Sequence, residues 1–198
     1  MALQKNNLQL LWIQQNKLEI MSGVNIMILW INGSFGVGKT ETANELNKKI
    51  GNSFVYDPEM AGEFIWGNSP VGISRKGDFQ DIPMWRDFNY QMLSYINNNY
   101  TGTIIVPMTI VRKEYYNQII GRLINDGIPV KHFILLADKP TILSRLKKRG
   151  EEDNCWAAQQ IDKCLITFAK DITDVIINTT GISIDEVATL ILKKSNIN

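Results

Sequence analysis

Four residues near the start of the chain have the types and the spacing of a phosphate-binding loop. Gly33, Gly38, Lys39 and Thr40 fit the pattern G-x-x-x-x-G-K-[S/T]. In this pattern the glycines let backbone N–H groups converge on phosphate oxygens, the lysine reaches the β- and γ-phosphates, and the hydroxyl binds Mg²⁺. A glycine-rich turn with an incidental lysine is the alternative. The pattern predicts ATP and Mg²⁺ as ligands, with Thr40 on the metal and the nucleotide held by Gly33, Ser34, Phe35, Gly36, Val37, Gly38, Lys39 and Thr40.

Further charged residues could complete a phosphoryl-transfer site on the acceptor side. Asp57 follows the second apolar run, where a carboxylate could accept a proton from a hydroxyl or hold Mg²⁺ through water. Asp57 also suits the N-cap of the following helix, and the two roles are compatible. Glu59 is a second candidate on the same segment. Arg86 and Arg112 could bind a polar or anionic group of the acceptor, although Arg86 could equally lie on a solvated helix face.

A basic cluster later in the chain has the composition of a lid over the transferred phosphoryl group. Arg145 and Arg149 lie on one short helix with two lysines between them, before the polar segment GEEDN. Arginines in such a position offset the charge that develops during transfer. The alternative is an ordinary set of cations at a helix C-terminus. We predict a lid over residues 141–155, with Lys39, Asp57, Arg145 and Arg149 as the catalytic set.

The elements that must position these residues alternate regularly. Short apolar runs predict strands at 26–31, 53–56, 103–108, 130–137 and 174–179, and amphipathic segments between them predict helices. Alternation of this kind indicates an α/β protein with a five-stranded, mainly parallel sheet and helices on both faces. Thr179 ends the last predicted strand, in the segment NTTG, where backbone groups could contact adenine; a plain loop is the alternative.

The length, charge and cysteine content of the chain limit the classes of protein to which it could belong. A chain of 198 residues with 44% hydrophobic residues is long enough for a single domain with its own core, which we place at residues 26–198. Residues 1–25 are predicted to be a tail, either a helical extension or a non-native segment. The net charge of +1 gives no reason to expect nucleic acid as a partner, and no apolar run is long enough for a transmembrane helix. Two cysteines fit a cytoplasmic protein, and the oligomeric state stays open.

Motifs that are absent after the later strands limit the reactions that the chain could catalyse on the γ-phosphate. No guanine-reading N-K-x-D follows a later strand, and the third strand ends without the carboxylate that many P-loop ATPases place beside Mg²⁺. A small-molecule kinase is therefore favoured over a switch GTPase or a motor ATPase.

Several segments together resemble the tunicamycin-resistance protein family, over residues 27–192. They are MILWINGSFGVGKTETANEL, YDPE, DFQDIPMWRDFNY, IIVPMTIV, EYYNQIIGRL, HFILLA and WAAQQIDKC. The resemblance implies a three-layer P-loop kinase-like fold and a cytoplasmic, ATP-binding protein that counters a uridine-containing antibiotic. It implies Asp57 and Glu59 as the matching carboxylates, Arg86 on the acceptor-side helix, and Arg145 and Arg149 as lid arginines.

Three functions remain open from the sequence. The first is phosphorylation of the antibiotic on a hydroxyl, with ATP and Mg²⁺ and a small-molecule acceptor. The second is ATP-dependent sequestration of the drug without chemistry. The third is an ordinary metabolic nucleoside or nucleotide kinase.

Overall fold

The computed structural model describes residues 27–70, 72, 77–152, 154–172 and 174–197. The predicted N-terminal tail lies outside the described residues. The strands are β1 (Ile28–Gly33), β2 (Ser53–Val55), β3 (Thr103–Pro107), β4 (Val130–Leu136) and β5 (Val175–Asn178). They form one parallel sheet in the order β2-β3-β1-β4-β5, which confirms the predicted α/β class.

Helices fill the connections between the strands. They are α1 (Lys39–Lys49), α2 (Pro58–Gly67), α3 (Pro83–Asn99), α4 (Lys113–Tyr116 and Arg122–Asn125 joined by a π-helical turn, Asn117–Gly121), α5 (Lys139–Lys148), α6 (Trp156–Lys170) and α7 (Ile184–Ser195). A 3₁₀ turn, Phe79–Asp81, precedes α3. No helix in the described part of the chain is long and apolar enough to cross a membrane.

The core has two apolar layers because successive side chains of a strand point to opposite faces of the sheet. Ile28 and Trp30 of β1 pack with α2, α3 and α4 on one face. Leu29 and Ile31 pack with α1, α5 and α7 on the other face. Helix α6 contributes to both layers. Cys164 and Phe168 belong to the layer that contains Ile28 and Trp30, and Ile161 belongs to the other layer.

The central position of β1 places the end of this strand at the point where ligands bind in open α/β sheets. Its last residue, Gly33, has φ +143°, and a Cβ there would lie 2.6 Å from the Leu135 carbonyl oxygen of β4. The buried Asn32 accepts hydrogen bonds at Oδ1 from the N–H groups of Gly33 and Ile110, at 2.8 and 2.9 Å. Residues of β1, β3 and β4 therefore fix the start of the glycine-rich loop.

Candidate functional site

The glycine-rich loop between β1 and α1 has the backbone shape of a phosphate cradle. Gly36 and Gly38 have φ +77° and +104°, conformations that side-chain-bearing residues rarely adopt. A Cβ on Gly36 would lie 2.8 Å from the side chain of Leu146 on α5, so the loop is packed closely from behind. Gly38 caps α1 without a side-chain hydrogen bond, which leaves the N–H groups of the first turn available to an anion.

Two hydroxyl groups of the same loop are also available. The Ser34 side chain is 1% exposed, and its Oγ has no hydrogen-bond partner in the described part of the chain. Thr40 lies at the start of α1 on the wall of a cavity. An orphaned buried hydroxyl and a free helix N-terminus fit a triphosphate.

A metal ion at this site would depend on the nucleotide. No group of three or more His, Cys, Asp or Glu residues in the described ranges could hold a metal ion. Mg²⁺ is usually bound through one or two protein oxygens together with substrate phosphates. Thr40 fits that use, with Asp57 and Glu59 on the same cavity wall.

The lysine of the loop is poised for a ligand with negative charge. Its Nζ donates a hydrogen bond of 2.9 Å to the Ser34 carbonyl and lies 5.4 Å from the centre of the Phe35 ring. Burial, with a smaller contribution from the charge of Arg149, lowers the pKa of Lys39 to about 8, while Cys164 and Glu59 oppose the shift. A phosphate would supply the counter-charge that this ammonium lacks.

The two predicted lid arginines have different partners. Arg145 donates hydrogen bonds to the Val37 carbonyl (2.9 Å) and to the hydroxyl and carbonyl of Thr179 (3.0 and 2.8 Å), so it ties the loop to the end of β5. Arg149 pairs with Glu41 of α1 at 2.6 Å and lines the cavity in front of the glycine-rich loop. Arg149 is therefore the lid arginine that can turn to a phosphoryl group by exchanging one partner.

Thr179 is buried and its backbone is already engaged. Its N–H donates to the Leu136 carbonyl at 2.7 Å, and its own carbonyl accepts from Arg145. Contact with adenine through these groups would require the bonds to break, so the structure gives Thr179 a place in the support of the loop.

The two candidate carboxylates lie beside the phosphate loop at the start of α2. Asp57 is the N-cap of this helix, and its Oδ1 accepts a hydrogen bond of 2.9 Å from the Glu59 N–H. The pKa of Glu59 is raised by partial burial and by the negative charge of Asp57, and Lys39 opposes the rise. Both carboxylates line the cavity in front of the loop, about 360 Å³ in volume, with Lys39, Thr40 and Arg149. We call it the phosphate cavity.

A second cavity of about 520 Å³, here called the aromatic cavity, shares Phe35 and Glu59 with the phosphate cavity. Its other walls are mainly aromatic and polar, and are lined by Trp66, Gly77, Asp78, Phe79, Gln80, Met108, Glu151, Trp156 and Ala157. A third cavity, about 150 Å³, shares Phe35, Asp78, Gln80 and Trp156 with it; we call this one the polar cavity. Phe35 lines all three.

Of the two predicted acceptor-side arginines, Arg86 is 6% exposed and therefore does not lie on a solvated helix face. It donates to the Gln80 carbonyl and to the Gln118 side chain, and its guanidinium stacks 4.3 Å from the centre of the Tyr115 ring. Arg86 holds the 3₁₀ turn in place from behind, and it is not among the residues that line the three cavities.

Arg112 does line the polar cavity. Its Nη1 lies 3.0 Å from Asp81 Oδ1 and donates to the Tyr115 hydroxyl at 2.7 Å. Tyr115 in turn donates to Asp81 at 2.5 Å. This network fixes one wall of the polar cavity.

Sequence reasoning did not assign the 3₁₀ turn or α6 to the site. Asp78 caps the 3₁₀ turn by accepting from the Gln80 N–H, and the Gln80 side chain donates to the Thr109 carbonyl after β3. The segment DFQD before a proline carried a turn signal. On α6, Trp156, Gln160 and Lys163 have the spacing of one helix face, but nothing in the sequence shows which ligand that face would meet.

The chain and its structure were compared with known proteins to identify its family. No protein-family model matches the chain, and no curated protein sequence matches it. The structure is similar to that of the tunicamycin resistance protein of Deinococcus radiodurans, with 30% identity and a TM-score of 0.76 over 88% of this chain and 98% of that chain.

Two more distant structures show the fold alone. A sugar kinase from Janibacter sp. has 17% identity and a TM-score of 0.58 over 87% of this chain and 96% of that chain. The APS kinase of Mycobacterium tuberculosis, in complex with AMPPNP and APS, has 16% identity and a TM-score of 0.55 over 86% and 98%. The parallel sheet, the glycine-rich loop and the 30% identity to the tunicamycin resistance protein lead to one conclusion: the chain belongs to the tunicamycin-resistance protein family and has the P-loop kinase fold.

Proposed function

We propose that this protein transfers the γ-phosphoryl group of ATP to a hydroxyl of a small molecule, and that the acceptor is a nucleoside antibiotic of the tunicamycin type. The observation that carries the proposal is the position of Glu59, which lines both the phosphate cavity and the aromatic cavity. A carboxylate between a phosphate site and a space large enough for an organic acceptor is the arrangement that proton removal from a hydroxyl requires.

The chain's own residues divide the work of binding. The backbone N–H groups of the loop and the Lys39 ammonium hold the phosphates of the substrate, and the hydroxyl of Thr40 would hold Mg²⁺. Bound ATP supplies the phosphoryl group, and Mg²⁺ offsets the charge on its phosphate oxygens.

Proton transfer is assigned to the carboxylates. Glu59 accepts the proton of the acceptor hydroxyl while the hydroxyl oxygen bonds to phosphorus and the bond from phosphorus to the ADP oxygen breaks. The raised pKa of Glu59 makes it a better proton acceptor than an ordinary carboxylate. Asp57, which already accepts from the Glu59 N–H at 2.9 Å, keeps Glu59 at the cavity wall and would be the carboxylate that holds Mg²⁺ through water.

Charge stabilisation is assigned to Arg149. It lines the phosphate cavity and pairs only with Glu41 in the described part of the chain, so closure onto the phosphoryl group requires one exposed ion pair to open. Exposed ion pairs contribute ~1 kcal/mol or less, so opening the pair between Arg149 and Glu41 costs little free energy.

The choice of acceptor is supported by the name of the relative, a tunicamycin resistance protein. Dependence on ATP and two free cysteines, Cys155 and Cys164, also support a cytoplasmic location as part of the proposal.

The test is to incubate the purified protein with ATP, Mg²⁺ and tunicamycin and to weigh the drug by mass spectrometry. We expect a mass gain of one phosphoryl group with the wild type and none with Lys39→Ala. An unmodified drug that is nevertheless bound in the presence of ATP would replace the proposal with sequestration. The absence of a carboxylate directly after β3, where Met108 and Thr109 stand, is the observation that keeps this alternative in view. A drug that is neither bound nor modified would point to a metabolic nucleoside or nucleotide kinase.

A further inference from the structure

One face of helix α6 lines the cavities beyond the phosphate loop. Trp156, Gln160 and Lys163 line the polar cavity, and Trp156 also lines the aromatic cavity. No residue of α6 lines the phosphate cavity. The spacing i, i+4, i+7 puts the three side chains on one stripe, directly beside the core stripe of Ala157, Ile161, Cys164 and Phe168.

The polar groups of this stripe have no partners among the residues that the structure describes. Gln160, Lys163 and the indole N–H of Trp156 make no hydrogen bond or ion pair with any residue that the structure describes. The positive charge of Lys163 nevertheless acts on the cavity, since it lowers the pKa of Asp78 against the raising effect of burial. Gln160 and Lys163 therefore line a cavity whose other walls include the carboxylates of Asp78 and Asp81, and neither side chain has a hydrogen-bond partner among the described residues.

Trp156 is the only residue of α6 in ring contact with the phosphate loop among the described residues. It is 54% exposed, and its ring centre lies 4.7 Å from that of Phe35 in an edge-to-face arrangement. An exposed tryptophan at the mouth of a cavity offers a large apolar face with a polar N–H, a combination common in ligand contacts. The Phe35–Trp156 pair thus forms the wall between the phosphate loop and the acceptor side.

We propose that α6 is the acceptor-recognition helix of this protein. Gln160 and Lys163 donate hydrogen bonds to carbonyl or hydroxyl oxygens of the acceptor, and Trp156 packs against its ring while Phe35 supports Trp156 from the loop. The proposal rests on the proposed function, because it assigns the acceptor side of the same site. It makes Gln160 and Lys163 specificity-determining residues that act on acceptor affinity and not on nucleotide affinity.

The test is calorimetric titration of tunicamycin into protein saturated with AMP-PNP and Mg²⁺, followed by titration of AMP-PNP into the same variants. We expect Lys163→Ala to weaken tunicamycin binding about tenfold and Gln160→Ala about threefold, as for lost hydrogen bonds to a ligand. AMP-PNP affinity should change less than about twofold in both. Lys170→Ala, on the same helix but outside the three cavities, is the matched control and should leave both affinities unchanged.

The outcomes separate the two proposals. Tunicamycin affinity that is unchanged in both variants, or AMP-PNP affinity that falls with it, would overturn the assignment of α6 only. Binding that depends on Lys163 and Gln160 without a phosphorylated product would support α6 and overturn the proposed transfer. A wild type that does not bind tunicamycin would overturn both.

Discussion

The phosphate side and the acceptor side of the site are built in different ways. The phosphate side is centred on one continuous segment, Gly33–Thr40, whose backbone shape and helix N-terminus form the cradle, while Asp57, Glu59 and Arg149 line the same cavity from other elements. The acceptor side is assembled from the start of α2, the 3₁₀ turn, the end of β3 and the first half of α6. A phosphate presents the same oxygens in every substrate, so backbone N–H groups suffice for it. The acceptor differs from enzyme to enzyme. It is therefore recognised by side chains on separate elements, because each of these side chains can be substituted without changing the others.

The two sides also differ in how they are held. The loop is tied to β5 by Arg145, and Asn32 fixes its first residue to the segment after β3. The 3₁₀ turn on the acceptor side is held by Arg86 from α3 and by the Gln80 side chain. The comparison predicts that substitutions on the two sides affect different steps, and it can be tested from the largest expected effect to the smallest.

Lys39→Ala should have the largest effect, because it removes the positive charge that attracts the negatively charged β- and γ-phosphates. We expect turnover to fall by at least ~10³-fold, as for the loss of a main electrostatic group at a reacting phosphate. Steady-state ADP release in the presence of tunicamycin measures the loss. Tunicamycin affinity, measured separately, should stay within about twofold. A variant that retains a tenth of wild-type turnover would show that the loop does not act on the transferred group.

Glu59→Gln tests the carboxylate that the two main cavities share. Turnover should fall ~10²-fold, because the amide cannot accept the hydroxyl proton, while the affinities for AMP-PNP and tunicamycin stay similar. Asp57→Asn is the matched change: asparagine caps a helix as well as aspartate does, so α2 should stay folded. A larger loss with Asp57→Asn than with Glu59→Gln would move the proton-accepting role to Asp57.

Arg86→Ala tests the support of the acceptor side. The buried guanidinium holds the Gln80 carbonyl and the Gln118 side chain, so its removal should lower the free energy of unfolding by about 2 kcal/mol. Arg122→Ala is the control, because Arg122 forms an exposed pair with Asp87 and should cost less than ~1 kcal/mol. Denaturant unfolding of both variants gives the comparison. Equal losses of the free energy of unfolding would show that Arg86 stabilises the protein no more than an exposed arginine does.

The pH dependence of nucleotide binding tests the environment of Lys39. Burial lowers the pKa of this lysine to about 8 in the free protein, so its ammonium is charged below that pH and neutral above it. Phosphates favour the charged form, so AMP-PNP affinity should fall about tenfold between pH 7 and pH 9, with proton uptake on binding. Calorimetry in two buffers of different ionisation enthalpy measures both. A dissociation constant that does not change over this range, with no proton uptake, would contradict the lowered pKa.

The difference between the two sides also explains how much could be predicted from the sequence. The five strands and the phosphate loop follow from local signals, namely apolar runs, Gly36 and Gly38 at positions that need positive φ, and the lysine beside them. The N-cap role of Asp57 is equally local, since it depends on the next two residues.

The acceptor side could not be predicted in the same way, because its residues meet only through the topology. Arg86 and Lys163 are both basic residues on helices, yet one is buried behind the 3₁₀ turn and the other faces a cavity. What separates them is the packing of α3 against α4 and the crossover that returns α6 to the sheet. The positions of Asp78 and Gln80 likewise depend on the Thr109 carbonyl, which is 29 residues away from Gln80.

The most direct test of the central claim follows the γ-phosphoryl group itself. Protein, Mg²⁺, tunicamycin and ATP labelled with ¹⁸O on the γ-phosphoryl oxygens are incubated together, and the drug and inorganic phosphate are weighed by mass spectrometry. Direct transfer predicts that the labelled phosphoryl group appears on tunicamycin with all its label. Label that appears only in inorganic phosphate, with the drug unmodified, would contradict the claim.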